Sequence, residues 1–198
     1  KSFPQANVSV QKLLIVNKAP FEGDTLVSFG AIDLKMSIKE LFKDKNEPMN
    51  IEAVSTENGL INILFNKDGL GNFDIALKDN KDKDDDGKSD PLSLKIKEYK
   101  VTNLRFQYYD ERSKVKMLID SLNHSGTGDF AKNNLDLDTH STAKVSLFMD
   151  KANYMNKVAL QLDAVLGIDL DKSQYTFKQN KALINKLPLE FDGYIKML

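Results

Sequence analysis

No cysteine occurs in the 198 residues, which removes disulfide scaffolds, thiol nucleophiles and cysteine-based zinc or iron–sulfur sites. Imidazole chemistry rests on two histidines, His124 and His140. Charge of one sign is missing too: 28 Lys and Arg stand against 29 Asp and Glu, a net −1, so no basic field would gather nucleic acid. No window approaches the ~18–20 consecutive apolar residues of a membrane span, and no charged-then-apolar leader opens the chain. What is present is a globular balance, 41% hydrophobic and 29% charged, in a length that suits one large domain or two small ones. The chain opens at Lys1 rather than Met and stops at Leu198 inside an alternating run. That predicts a piece of a longer protein, with any anchor or export signal upstream. The absence of cysteine fits a bacterial envelope protein as well as a cytoplasmic one, so it does not settle the compartment.

Period-2 alternation dominates the chain, the signature of strands with one face apolar and one in water. Ile32, Leu34, Met36 and Ile38 alternate with Asp33, Lys35, Ser37 and Lys39. Ile61, Ile63 and Phe65 follow, then Phe73, Ile75 and Leu77, then Leu92, Leu94 and Ile96. Leu104, Phe106 and Tyr108 repeat the arrangement, as do Val115, Met117 and Ile119. The longest run is Val158, Leu160, Leu162, Ala164, Leu166, Ile168 and Leu170, with Gln161, Asp163, Asp169 and Asp171 among the residues of its other face. Leu187, Leu189, Phe191, Ile195 and Met197 close the chain. Turn signals separate these runs at Asn58-Gly59, Asp68 to Asn72, Ser125 to Gly128, Asn133-Asn134 and Gln179-Asn180, which predicts hairpins and antiparallel pairing. Short helices are expected only near Ser37 to Lys43 and Asp150 to Lys157. Asn58 and Asn103 each stand just before an alternating run, a loose internal echo too degenerate to count as a repeat.

Asp79 to Asp90 replaces every apolar residue with Asp, Lys, Asn, Ser or Gly and reads as a solvated loop. It sets a soft boundary between a first half, 1–78, and a second, 91–198. The alternation resumes unchanged at Leu92, so one β-rich domain is expected over 1–198. Within the loop, Asp82, Asp84, Asp86 and Gly87 fit the opening of an EF-hand calcium loop, and Asp90 suits its ninth place. Ser93 stands where the bidentate Glu belongs, however, and no helices flank the loop. The calcium pattern is incomplete, and no other metal site or cofactor is expected.

His124 beside Ser125 invites a nucleophile-and-base reading, but triad members meet through the fold, so adjacency carries no information; His124 reads as a turn residue. His140 lacks the helical spacing of a metal pair. Ser9-x-x-Lys12 and Ser141-x-x-Lys144 both match a serine–lysine motif, yet residues three apart on a strand point to opposite faces. No glycine-rich phosphate loop opens a helix. The feature that calls for a function is the apolar face itself, which a second sheet, the same sheet curled over, or a bound apolar ligand such as lipid acyl chains could cover.

The stretch from Phe3-Pro4 to Val16, Asp24-Thr25-Leu26 leading to Ile32–Met36, Ile61-Asn62-Ile63, and Asp68-Gly69 to Asn72-Phe73-Asp74-Ile75 resembles, in that order, the N-terminal region of AsmA-family envelope proteins. Leu104 to Asp110 looks like the family's strand ending in Tyr-x-Asp, and Ser125-Gly126 to Asp129-Phe130 like the turn that follows it. Tyr175 to Asn180, then Asn185, Leu187 and Gly193, are similar to the Bacteroidetes version. The likeness implies a periplasmic segment, tied to the inner membrane by an N-terminal helix outside this sequence and involved in outer-membrane biogenesis. Kinship with TamB and the chorein-like bridge proteins implies a curled sheet that carries phospholipid along an apolar groove, with outer-membrane assembly proteins as further partners. No catalytic residues carry over, and an enzyme is not expected.

The resulting expectation is a mainly β chain: an elongated, curved antiparallel sheet, open as a groove or half-open sandwich, with one or two short helices. Leu104, Phe106, Val115, Met117, Leu160, Leu162, Leu166 and Ile168 are the groove candidates. The alternative is a structural β-sandwich or adhesin-like binding module, stabilised by calcium at Asp82 to Asp90.

Overall fold

The computed structural model describes residues 4–44, 47, 49–73, 94–129 and 132–196. The expected groups at Ile75, Leu77, Leu92 and Met197, and the calcium candidates Asp82, Asp84, Asp86 and Asp90, lie outside them. The elements in chain order are β1 (Gln5–Val16), β2 (Thr25–Ser37), β3 (Met49–Glu57), β4 (Leu60–Phe65), β5 (Leu94–Asp110), β6 (Val115–Thr127), β7 (Asn134–Met149), β8 (Ala152–Asp169), β9 (Gln174–Ile184) and β10 (Leu187–Lys196). The helical content among the described residues is one 3-10 turn, Ile38–Phe42, where Leu41 and Phe42 interrupt the alternation. All ten strands form one mixed sheet in the order β1-β2-β3-β5-β6-β7-β8-β9-β10, with β4 paired to β2 and β5. A strand spacing of ~4.8 Å makes the sheet ~40 Å wide, and the 18 residues of β8 make it ~60 Å long.

Several expectations about turns need correction. Asp150 to Lys157 is not a helix: Asp150 and Lys151 close a two-residue hairpin between Met149 and Ala152, with Asp150 at φ 51 and its N–H donating to the Lys114 carbonyl at 3.0 Å. Ser125 to Thr127 lie inside β6, and Gln179-Asn180 form a bulge inside β9 rather than a turn. The longest run ends at Asp169, leaving Leu170 exposed in the following turn.

Asn58-Gly59 is not a hairpin either. β3 and β4 both run parallel to β5, and their partners keep one sequence offset of 45 across the gap: Glu57 lies beside Thr102, Asn58 bonds Asn103 through their side chains, and Leu60 lies beside Arg105. The two strands are therefore one strand with a kink, and the echo between Asn58 and Asn103 is a true spatial correspondence. Parallel neighbours need a long crossover. The chain between Phe65 and Leu94, which contains the acidic stretch, makes that connection and leaves strands from both halves in one sheet.

The kink belongs to a crease that crosses β1, β2, the kinked β3–β4 strand, β5 and β6. Lys12 in β1, Asn58 between β3 and β4, Asn103 in β5 and Ser121 in β6 have φ of 57°, 52°, 52° and 52°. Gly30 in β2 lies between Lys12 and Asn58, its N–H donating to the Asn58 carbonyl at 3.3 Å. Each extra residue switches which parity of the strand faces the apolar side. In β5, Tyr99 and Val101 lie on that side before the crease and Leu104, Phe106 and Tyr108 after it. Polar side chains tie the crease together: Asn103 Nδ2 donates to Asn58 Oδ1 at 2.8 Å, and Asn123 Oδ1 accepts the Asn103 N–H at 3.1 Å.

Substantial contacts between elements run only between sheet neighbours and from β2 to the 3-10 turn. No closed sandwich exists among the described residues. The buried apolar side chains are accordingly few and mostly central in the sheet: Met36, Ile51, Leu104, Leu135, Leu137, Ala143, Ala164 and Ala182. Past the end of the β2–β4 pairing, the Asn72 carboxamide takes a strand's place, with Nδ2 donating to the Asn62 carbonyl at 2.7 Å and Oδ1 accepting the Leu64 N–H at 3.0 Å.

Candidate functional site

All eight groove candidates lie on one face. In β8, Leu160, Leu162, Leu166 and Ile168 stand opposite Ala143, Ser141, Leu137 and Leu135 of β7. In β5 and β6, Leu104 stands opposite Leu122, Phe106 opposite Ile119, and Met117 opposite Tyr108, with Val115 one pleat further on. Ile119 pairs in turn with Val145, and Val145 with Val158, so the face continues from β5 to β8. The candidates form two clusters, one on β5 and β6 and one on β8, ~10 Å apart with β7 between them, rather than one pocket. Leu104 is buried and the other seven are half-exposed. Partly exposed Leu, Ile, Met and Phe side chains on a continuous face, with no second layer among the described residues, give a surface that is oily yet open.

The opposite face is polar. It carries ion pairs between Arg105 and Asp120 at 3.2 Å and Lys178 and Asp136 at 2.6 Å, and a hydrogen bond between His140 Nδ1 and Asp163 Oδ1 at 2.5 Å. A recess of 590 Å³ lies on this polar side, away from the groove candidates. It runs across the strands between two rows of side chains, one including Glu98, Thr127 and Asp138 and the other Lys100, Ser125, His140 and Asp163.

The dipeptides His124-Ser125 and His140-Ser141 pair antiparallel, so each histidine faces the other's serine. His124 is a strand residue, not a turn residue, and Ser125 points to the opposite face from it. On the apolar face, Tyr99 OH lies 2.6 Å from His124 Nε2, and His124 Nδ1 lies 2.8 Å from Ser141 Oγ. Burial pushes the imidazole pKa down and the Tyr99 phenol up, which keeps both neutral. On the polar face, Ser125, His140 and Asp163 form a row of hydrolase-like composition. Ser125 makes no hydrogen bond to His140, and the β6 amides beside it are taken up by ladder pairing, so no oxyanion donors face it. Ser141 and Lys144 fall on opposite faces, as the strand period requires.

No family model, curated protein or solved structure matches the chain. Function has to be argued from the faces of the sheet. Among the described residues no group of three or more His, Asp or Glu could hold a metal ion. Sequence reasoning missed the Tyr99–His124–Ser141 row because its members come from three strands. The one local signal was the repeated pairing of His with Ser, which only antiparallel register turns into contacts.

Proposed function

We propose that this chain is a non-enzymatic segment of an AsmA-like envelope protein that holds phospholipid along the apolar face of its sheet and thereby contributes to outer-membrane biogenesis. The observation that carries the reading is the continuous, half-exposed aliphatic face spanning β5 to β8, with no described element over it. Acyl chains gain from such a surface roughly 0.8 kcal/mol per buried CH₂, so a ten-carbon stretch suffices for appreciable binding even after ordering costs. The crease supports the same reading, because it keeps the aliphatic face continuous over strands too long for a globular core. In this proposal the segment sits in the periplasm, tied to the inner membrane by a helix outside the present sequence, and hands lipid to outer-membrane assembly partners. The separation of His124 from Ser125 and the lack of oxyanion donors near Ser125 favour a binding role over hydrolysis.

Native mass spectrometry of gently purified protein, with lipid extraction from the same sample, tests the proposal. Phospholipid in reproducible stoichiometry is expected, and it should be lost in a folded Leu162→Asp/Leu166→Asp variant. An apo mass from protein never exposed to detergent, together with no uptake of added phospholipid, overturns it in favour of a structural module.

A further inference from the structure

The apolar face holds a polar island near its middle. Tyr99, His124 and Ser141 form a hydrogen-bonded row across β5, β6 and β7, with Val54, Val101, Leu162 and Thr139 beside it on the same face, the Thr139 hydroxyl already donating to the Ala164 carbonyl at 3.0 Å. The row is built rather than incidental. Gly126 lies beneath the Tyr99 ring, where a Cβ would come within 2.6 Å of its atoms, and the missing side chain lets the ring lie flat on β6 and reach His124. A neutral imidazole has one donor and one acceptor to share between two hydroxyls. A phenol is the stronger acid, so Tyr99 donates to Nε2 and the Nδ1–H donates to Ser141 Oγ. The relay then leaves the Ser141 hydroxyl hydrogen over, at a half-buried position opposite Leu162. Three strands from Ser141, beside Val101, the Thr56 hydroxyl is shielded from solvent without a partner. A purely hydrocarbon surface would need none of these groups.

We propose that the Tyr99–His124–Ser141 row seats the hydrogen-bond-accepting oxygen of an acyl lipid, an ester carbonyl or a carboxylate, with Ser141 as the donor and the acyl chain laid over Leu162 and Leu137. The inference rests on the lipid reading above and adds a fixed point to it. A chain lying on aliphatic side chains alone slides freely, whereas one oxygen anchored at Ser141 sets its register. Tyr99 and His124 act as positioning residues: the phenol fixes the imidazole tautomer, and the tautomer turns the serine hydrogen outward.

Displacement of the apolar-surface dye 1-anilinonaphthalene-8-sulfonate by dodecanoate, methyl dodecanoate and dodecane tests this with one chain length and three head chemistries. At least one oxygenated ligand is expected to compete about five-fold better than dodecane, the worth of one net hydrogen bond. Which of the two does so separates a free carboxylate from an ester as the natural group. Ser141→Ala and Tyr99→Phe should erase that preference while leaving dodecane unchanged, and Leu162→Asp should weaken all three, with circular dichroism confirming folded variants. Equal competition by all three ligands in the parent protein, or a preference that survives both Ser141→Ala and Tyr99→Phe, overturns the seat but leaves the lipid reading standing. No displacement by any ligand removes both.

Discussion

Gly59 offers the sharpest test of how the crease is packed. A Cβ built there would lie 2.5 Å and 2.7 Å from Phe29 Cε1 and Cδ1 and 2.6 Å from Leu104 Cδ1, against the ~3.5–4.0 Å of ordinary carbon contact. Leu104 is only 7% exposed and has little room to retreat, so the ring of Phe29 must swing by about 1 Å. Overpacking of this kind costs about 1–3 kcal/mol. Opposing it, alanine restricts the unfolded chain and returns about 0.4–1 kcal/mol, since no left-handed φ is required at this position. The clash wins, and Gly59→Ala should lose about 1–2 kcal/mol net, a fall of about 2–8 °C in Tm for a chain of this size. Thermal and urea unfolding followed by circular dichroism would measure it. In a Phe29→Leu background, where most of the offending ring is gone, the same substitution should cost less than half as much. An unchanged Tm for Gly59→Ala, or equal losses in both backgrounds, would refute the packing argument.

The remaining predictions address the sheet edge, the crease and the polar island. Asn72 is fully buried and satisfies two backbone groups of β4, so Asn72→Ala should cost about 2–4 kcal/mol in urea titration, with no loss pointing to water in its place. Asn103 sits at φ 52, so Asn103→Val should lose about 1–2 kcal/mol and Asn103→Gly much less; equal effects would mean that side-chain bonding to Asn58 outweighs the backbone. The pKa of His124 is lowered by burial, so the unfolded chain takes up its proton first as pH falls. The stability tied to this group is present in full above the unfolded value of about 6.5 and is lost as pH drops through the lower folded value. Tm measured between pH 7.5 and 5 should decline less in His124→Gln than in the parent, and parallel declines would remove the linkage.

Much of the fold was legible because alternation is a direct record of a one-sided sheet. The run Leu160, Leu162, Leu166 and Ile168 points to one face in the structure, as its spacing requires. Misreadings cluster where a residue has two uses. Asn and Gly are hairpin residues, but they also supply the left-handed φ of a bulge, so Asn58-Gly59 looked like a turn while serving as a kink. Gly126 read as a loop because sequence does not display the Tyr99 ring lying over it. Asp150 to Lys157 looked helical because the bulge at Lys157, φ 49, breaks the alternation of β8 just where a helix signal would. The parallel pairing of β3 and β4 with β5 was hidden for a different reason. Crossovers leave no periodic trace, and the only hint was the echo between two asparagines.

The crease reconciles two demands that a flat sheet cannot meet together. Strands of this length need right-handed twist, and uninterrupted twist would carry their ends far out of line with one another. A transverse line of bulges bends the strands at one level and lets each half keep its own direction. It also changes parity, so a chain that simply alternated would turn Phe106 and Tyr108 to water and expose an oily patch on the wrong side. In β1 to β6 the parity change in sequence coincides with the bulge: Val10 to Leu13, Ile32 to Phe29, Thr56 to Ile61, Val101 to Leu104 and Leu122 to Ile119. Where a strand lacks a bulge at this level, as β7 does, its odd positions from Leu135 to Leu147 stay on the apolar side throughout. The apolar face is thus encoded by the sum of alternation and interruption. Its continuity across the crease is maintained strand by strand, which a face that merely failed to find a partner would not require.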